Sequence, residues 1–173
     1  MKPEIFMDEF ERTHYGDSIF SSVGRALTIS TRFENNCKML AVILELKENS
    51  LFDDEEKFNS FVKKLYSKRL FEDIQKILKS TKDFETILDK ARKSRNEIVH
   101  ELTKGLDKTL DLLPKEEIKS LDSRLIELVE NISYGDLITS FLLSVITKEP
   151  IPSFQILNKY QNNILEWVMD RTE

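Results

Sequence analysis

Cysteine is almost missing from this sequence. A single thiol, Cys37, cannot close an intrachain disulfide, which excludes the small bridged scaffolds of secreted proteins and fits a reducing cytoplasm. Glycine and proline are scarce, at four each. A β-sandwich needs turn residues roughly every 8–12 positions, so that class is excluded too. No apolar run approaches the roughly 18–20 residues of a membrane span, and the longest candidates are residues 39–44 and 141–146. The opening carries Glu4, Asp8, Glu9 and Glu11, without the basic, apolar, small order of a signal peptide. Only two histidines occur, His14 and His100, far apart and with a single cysteine, so no metal site is expected. There is no Walker loop and no Gly-x-Gly-x-x-Gly, and no cofactor is expected. Positive charge is in deficit, 26 Lys and Arg against 31 Asp and Glu, for a net charge of −5. A chain that coats nucleic acid non-specifically is usually basic, so an extended coating surface is excluded while a small basic site is not. These absences point to a soluble cytoplasmic protein with no membrane partner.

What is present is helix. The 173 residues are 40% hydrophobic and 33% charged, enough for one core, and the reading is a single domain over 1–173. Asp17 or Ser18 is placed to cap a long helix running to about Lys47, with Ile19, Val23, Leu27, Phe33, Leu40 and Leu44 at helical spacing. The acids of residues 53–56 open a second helix with Phe58, Phe61, Val62 and Leu65 on one side. Leu70, Ile74, Ile77 and Leu78 mark a third. Ser80-Thr81-Lys82-Asp83 has the form of a capping box before a fourth helix, which is expected to end near Gly105. Pro114-Lys115-Glu116-Glu117 starts a fifth, and Gly135-Asp136 is read as the start of another. Ser153 caps a last helix after Pro150-Ile151-Pro152. The fold class is therefore all-α, a single up-down bundle of about six or seven helices. The opening dozen residues, with Ile5, Phe6, Met7 and Phe10 among acids, receive no function.

The fourth helix departs from a plain core stripe. Its apolar positions run Phe84, Ile87, Leu88, Ala91, then Ile98, Val99 and Leu102, and the position the alternation demands between them is Arg95. An arginine there must meet a partner charge or enter a wet cleft, because burying it unpaired is prohibitive. Asn96 and His100 share a side at i, i+4. Around them stand Lys90, Arg92, Lys93 and Lys104, a basic island in an acidic chain. Imidazole transfers protons near neutrality, and guanidinium matches phosphate oxygens with a fork of donors. Together they suit phosphodiester cleavage without a metal. The alternative is a solvated face whose cations pair with Asp89, Glu97 and Glu101.

Arg95-Asn96-Glu97-Ile98-Val99-His100 reads Arg-Asn-x-x-x-His, and this resembles the signature of the HEPN superfamily, small α-helical domains of prokaryotic toxins and antiviral ribonucleases. The helix around it is similar as well, from Asp83-Phe84-Glu85 through Ala91-Arg92 to His100-Glu101. The resemblance covers about residues 17–110, with the helices of 114–171 completing or elaborating the bundle. It implies an endoribonuclease whose catalytic residues are Arg95, Asn96 and His100, with Arg92, Lys93 and Lys104 binding substrate. It also implies a homodimer in which two such sets share one cleft. Ala91, Ile98 and Leu102 are expected to need that second copy to cover them. RNA is the implied substrate, and an antitoxin or regulatory protein the further partner. The competing reading is a HEPN-like module without catalysis that scaffolds a partner such as a nucleotidyltransferase-like antitoxin.

Overall fold

The computed structural model describes residues 14–49, 55–79, 82–104 and 114–170. Six α-helices account for the regular structure: α1 (His14–Asn49), α2 (Glu55–Tyr66), α3 (Leu70–Leu78), α4 (Glu85–His100), α5 (Lys115–Thr147) and α6 (Phe154–Met169). No strand occurs among the described residues, as expected for an all-α chain. None of these helices is long and apolar enough to cross a membrane.

The long α1 is the axis of the bundle and touches each of the other five helices. Its inward face carries Ile19, Val23, Ala26, Phe33, Cys37 and Leu40 into one core. The expected caps Asp17 and Ser18 lie inside α1, which already spans His14. On α3 all four expected apolar residues are buried, whereas on α2 only Leu65 is. A short 3-10 turn over Lys82–Phe84 leads into α4. Ser80, Thr81 and Gly105, the expected cap residues of α4, lie outside the described residues, as does the opening dozen.

The expected break at Gly135-Asp136 does not occur. α5 runs unbroken for 33 residues through that point. Gly135 is there for closeness rather than for a turn: a Cβ on it would lie 2.5 Å from the Ala91 Cβ and 2.8 Å from the Phe33 ring. α5 meets α4 and α1 where only a hydrogen fits. Pro114 precedes the first helical residue, and its carbonyl accepts from the amides of Glu117 and Ile118 at 3.0 and 3.2 Å. Ser153 does the same for α6 through its carbonyl, with no side-chain capping bond.

The carboxy-terminal helices are integral to the core. Leu125, Leu128, Val129, Ile132, Ile164 and Val168 join residues of α1, α3 and α4 in a single buried cluster. Ala91, Ile98 and Leu102 belong to that same cluster. They are covered within one chain, so the expectation that a second copy is required to shield them fails. The reason is α5, whose unbroken length packs along α4 where two shorter helices were expected.

Candidate functional site

α4 turns its polar residues to three neighbours: Arg95 to α1, Ser94 and Glu97 to α5, and Arg92 to α3. Arg95, one turn beyond buried Ala91, reaches across to α1 and pairs with the carboxylate of Glu34 through its terminal nitrogen Nη2. Its other terminal nitrogen, Nη1, donates to Asn96 Oδ1 at 3.0 Å. The third nitrogen, Nε, is buried without a hydrogen-bond partner. Of the two fates open to an arginine in an apolar stripe, Arg95 takes the first: it meets a partner charge, from a residue 61 positions away.

Glu34 also accepts a salt bridge from Lys38 at 3.0 Å, one turn along α1. Burial pushes the Glu34 carboxyl up, but the Lys38 ammonium and the Arg95 guanidinium outweigh it and hold the group below the usual glutamate value. The result is a line of charge, Lys38, Glu34, Arg95, ending on the amide of Asn96. Half-buried on both sides, this line fixes the guanidinium plane far better than a solvated arginine would be fixed.

His100 closes α4 and is exposed. Among the described residues its side chain has no hydrogen bond or ion pair. The flanking acids are occupied elsewhere: Glu97 receives Arg124 of α5, and Glu101 receives Lys104 at 2.6 Å. Arg92 and Lys93 both bind Asp89, at 2.7 and 2.8 Å, and the Arg92 guanidinium lies over the Phe71 ring of α3. The structure thus brings Arg95 and Asn96 together and leaves His100 exposed and unpaired about one turn beyond Asn96, roughly 140° around the helix from Arg95, while Arg92, Lys93 and Lys104 are each matched by a local acid.

Sequence reasoning missed Glu34 and Lys38. Their i, i+4 spacing is visible in the sequence, but the same spacing recurs on many solvated helix faces. It missed a second polar cluster altogether. Asp136 on α5 is fully buried, accepts from the Tyr160 hydroxyl and from Asn36 Nδ2 at 2.8 Å, and forms an ion pair with Arg32, whose Nε lies 3.4 Å from Oδ2. Asn36 also donates to Ser140 Oγ at 3.0 Å, and the Arg32 guanidinium lies 5.8 Å from the Tyr160 ring centre. Burial pushes the Asp136 carboxyl up, against the opposing pull of these donors. It pushes the Tyr160 hydroxyl up too, as does the neighbouring carboxylate. Cys37, at the centre of the core, has its thiol driven well above the usual value by burial and by Asp73 and Asp136, which suits packing rather than reaction.

No family model matches the chain, and neither a curated protein nor a solved structure matches it.

Proposed function

We propose that this chain is a HEPN-like, metal-independent endoribonuclease of the cytoplasm that works as a homodimer. The observation that carries the reading is the fixed guanidinium of Arg95, held by Glu34 on one edge and by Asn96 on the other, on the helix that ends in exposed His100. A positioned guanidinium and an unpaired imidazole, about 140° apart on one helix and so flanking a cleft rather than touching, are the two kinds of group that cleavage at a ribose uses. The 2′-oxygen attacks the adjacent phosphorus while a base takes the 2′-proton. The bond from phosphorus to the 5′-oxygen breaks, and an acid protonates that oxygen. The products are a 2′,3′-cyclic phosphate and a 5′-hydroxyl. Arg95 offsets the charge that develops on the phosphoryl oxygens, and Asn96 orients a phosphate oxygen or the imidazole. One chain offers one such imidazole, so the base and the acid are the His100 residues of two copies.

The test is cleavage of single-stranded RNA in EDTA. Wild type is expected to leave cyclic phosphate ends and to spare DNA, with His100→Ala and Arg95→Ala at least a hundredfold slower. His100→Ala cleaving at the wild-type rate overturns the assignment.

A second reading, a non-catalytic module for a protein partner such as an antitoxin, is favoured by one observation. Arg92, Lys93 and Lys104 are matched by acids, leaving little free basic surface on α4. Growth arrest on expression, relieved by His100→Ala, supports the nuclease. Harmless expression together with inert purified protein supports the module.

A further inference from the structure

The outward face of α1 is conspicuous for what it lacks. In a chain one-third charged, residues 20–31 of α1 have Arg25 as their sole charge, and Arg25 is tied to the main-chain oxygens of Val168 and Asp170. A shallow groove of about 490 Å³, open to solvent, runs along this face, bordered entirely by α1 residues, among them Gly24, Leu27, Thr28, Thr31 and Asn35, with Arg32 as its one charge. Among the described residues no carboxylate lines it.

Two features make the groove a built one. The first is Gly24. A Cβ added there would meet nothing within 4 Å, so this glycine relieves no contact inside the chain, although mid-helix glycine is unfavourable. Its absent side chain leaves the groove floor open. The second is the support under Arg32. Fully buried Asp136 takes the Nε edge, and the Tyr160 ring lies against the guanidinium. The side chain is still 53% exposed, and its two terminal nitrogens have no bond among the described residues. A fork of donors anchored from behind and open in front is the arrangement that grips an anion in two-point fashion.

We propose that this groove binds a phosphodiester of the RNA backbone, with Arg32 as the phosphate-gripping residue and buried Asp136 and Tyr160 as its positioning residues. The proposal rests on the ribonuclease reading and extends it to where the strand runs. Arg32 and Glu34 stand two residues apart on α1, hence about 200° apart, so they border the exposed face from opposite edges. Thr31 and Asn35 lie between them. A strand gripped by Arg32 on one edge reaches the Arg95 site on the other by crossing an uncharged strip. The Thr28 and Thr31 hydroxyls on that strip are turned back to the Gly24 and Leu27 carbonyls at 3.0 Å each, so they present methyl groups to ribose and base.

The test is fluorescence anisotropy with a labelled single-stranded 2′-O-methyl RNA, which binds but cannot be cleaved. Arg32→Ala is expected to weaken binding about tenfold in low salt and to lower the slope of log K against log salt by about 0.7, the share of one phosphate contact. Arg32→Lys is expected to keep the slope. Circular dichroism checks that the variants are folded. Gly24→Leu, which fills the groove without meeting a neighbour, is expected to weaken binding in a protein whose Arg32 cluster is intact. Wild-type affinity and slope in Arg32→Ala, or a wild-type protein that does not bind the oligonucleotide, overturns the proposal. So does a dimer that Gly24→Leu turns into a monomer while Arg32→Ala binds normally, which would assign the face to a second copy. The ribonuclease reading stands or falls separately, on whether His100→Ala still cleaves.

Discussion

A Cβ on Gly135 would sit 2.5 Å from the Cβ of Ala91, a separation no pair of real side chains adopts. Gly24, on α1, is a contrasting case, since a Cβ there would face open space. The two sites should respond oppositely to the same methyl group. Gly135→Ala is expected to cost about 1–3 kcal/mol through overpacking of α4 and Phe33 against α5. Gly24→Ala is expected to gain about 0.5–1 kcal/mol from helix propensity alone. Urea titrations of both variants check the pair, and equal effects would refute the account of the α4 and α5 crossing.

Asp73 of α3 is buried, with Oδ2 lacking any hydrogen-bond partner. Burial pushes its carboxyl from 3.8 to about 6, against the pull of Lys38 and Lys68. A raised acid binds its proton more tightly in the folded chain. Its contribution therefore favours folding most below pH 4 and is lost as pH rises through about 6. Asp73→Asn should then stabilise the protein at pH 8, by on the order of 1–3 kcal/mol, and change it little at pH 4. Melting temperatures across that range would show the difference growing between the two limits. A difference that is flat with pH would contradict it.

Removing the carboxylate that holds Arg95 is expected to be costly. Glu34→Gln leaves a half-buried guanidinium without its counter-charge and should destabilise the chain by about 1–3 kcal/mol at neutral pH. Glu34 has a lowered folded value, so its stabilisation is present above about 4.5 and lost as pH falls through that folded value. The gap between wild type and variant should therefore close in strong acid. Denaturation at pH 7 and below pH 3 measures it.

Tyr160 and Asp136 are expected to behave as a coupled pair. Tyr160→Phe removes one donor from a buried carboxylate and should cost about 1–2 kcal/mol. In an Asp136→Asn background the loss should differ by about 0.5–3 kcal/mol, the coupling expected of groups in contact. A double-mutant cycle by urea denaturation gives the value, and strict additivity would exclude the bond.

The helices were readable because hydrophobic spacing is a local property. Leu70, Ile74, Ile77 and Leu78 announced both α3 and its buried face. Gly135 misled because a glycine in a helical pattern has two meanings, a terminus or a close approach, and only the third dimension separates them. The anomaly of Arg95 was legible too, since an apolar rhythm broken by an arginine demands a partner. Its partner was not, because Glu34 lies on another helix 61 residues earlier and looks like any surface acid. Asp136 was hidden for the same reason. Nothing in the neighbouring sequence announces that Asn36, Tyr160 and Arg32 converge on it.

The length and centrality of α1 impose an order on the making of this protein. Its 36 residues span roughly 54 Å, and every other described helix follows it in the chain. The Phe33 ring meets Gly135 only when α5 arrives, and α5 begins at Lys115. Arg25 waits longest, for the carbonyls of Val168 and Asp170, 143 and 145 residues downstream. At about 5–20 residues per second, that interval is on the order of ten seconds. α2, α3 and α4 cover part of α1 before then, but its packing is complete only once α5 and α6 have followed.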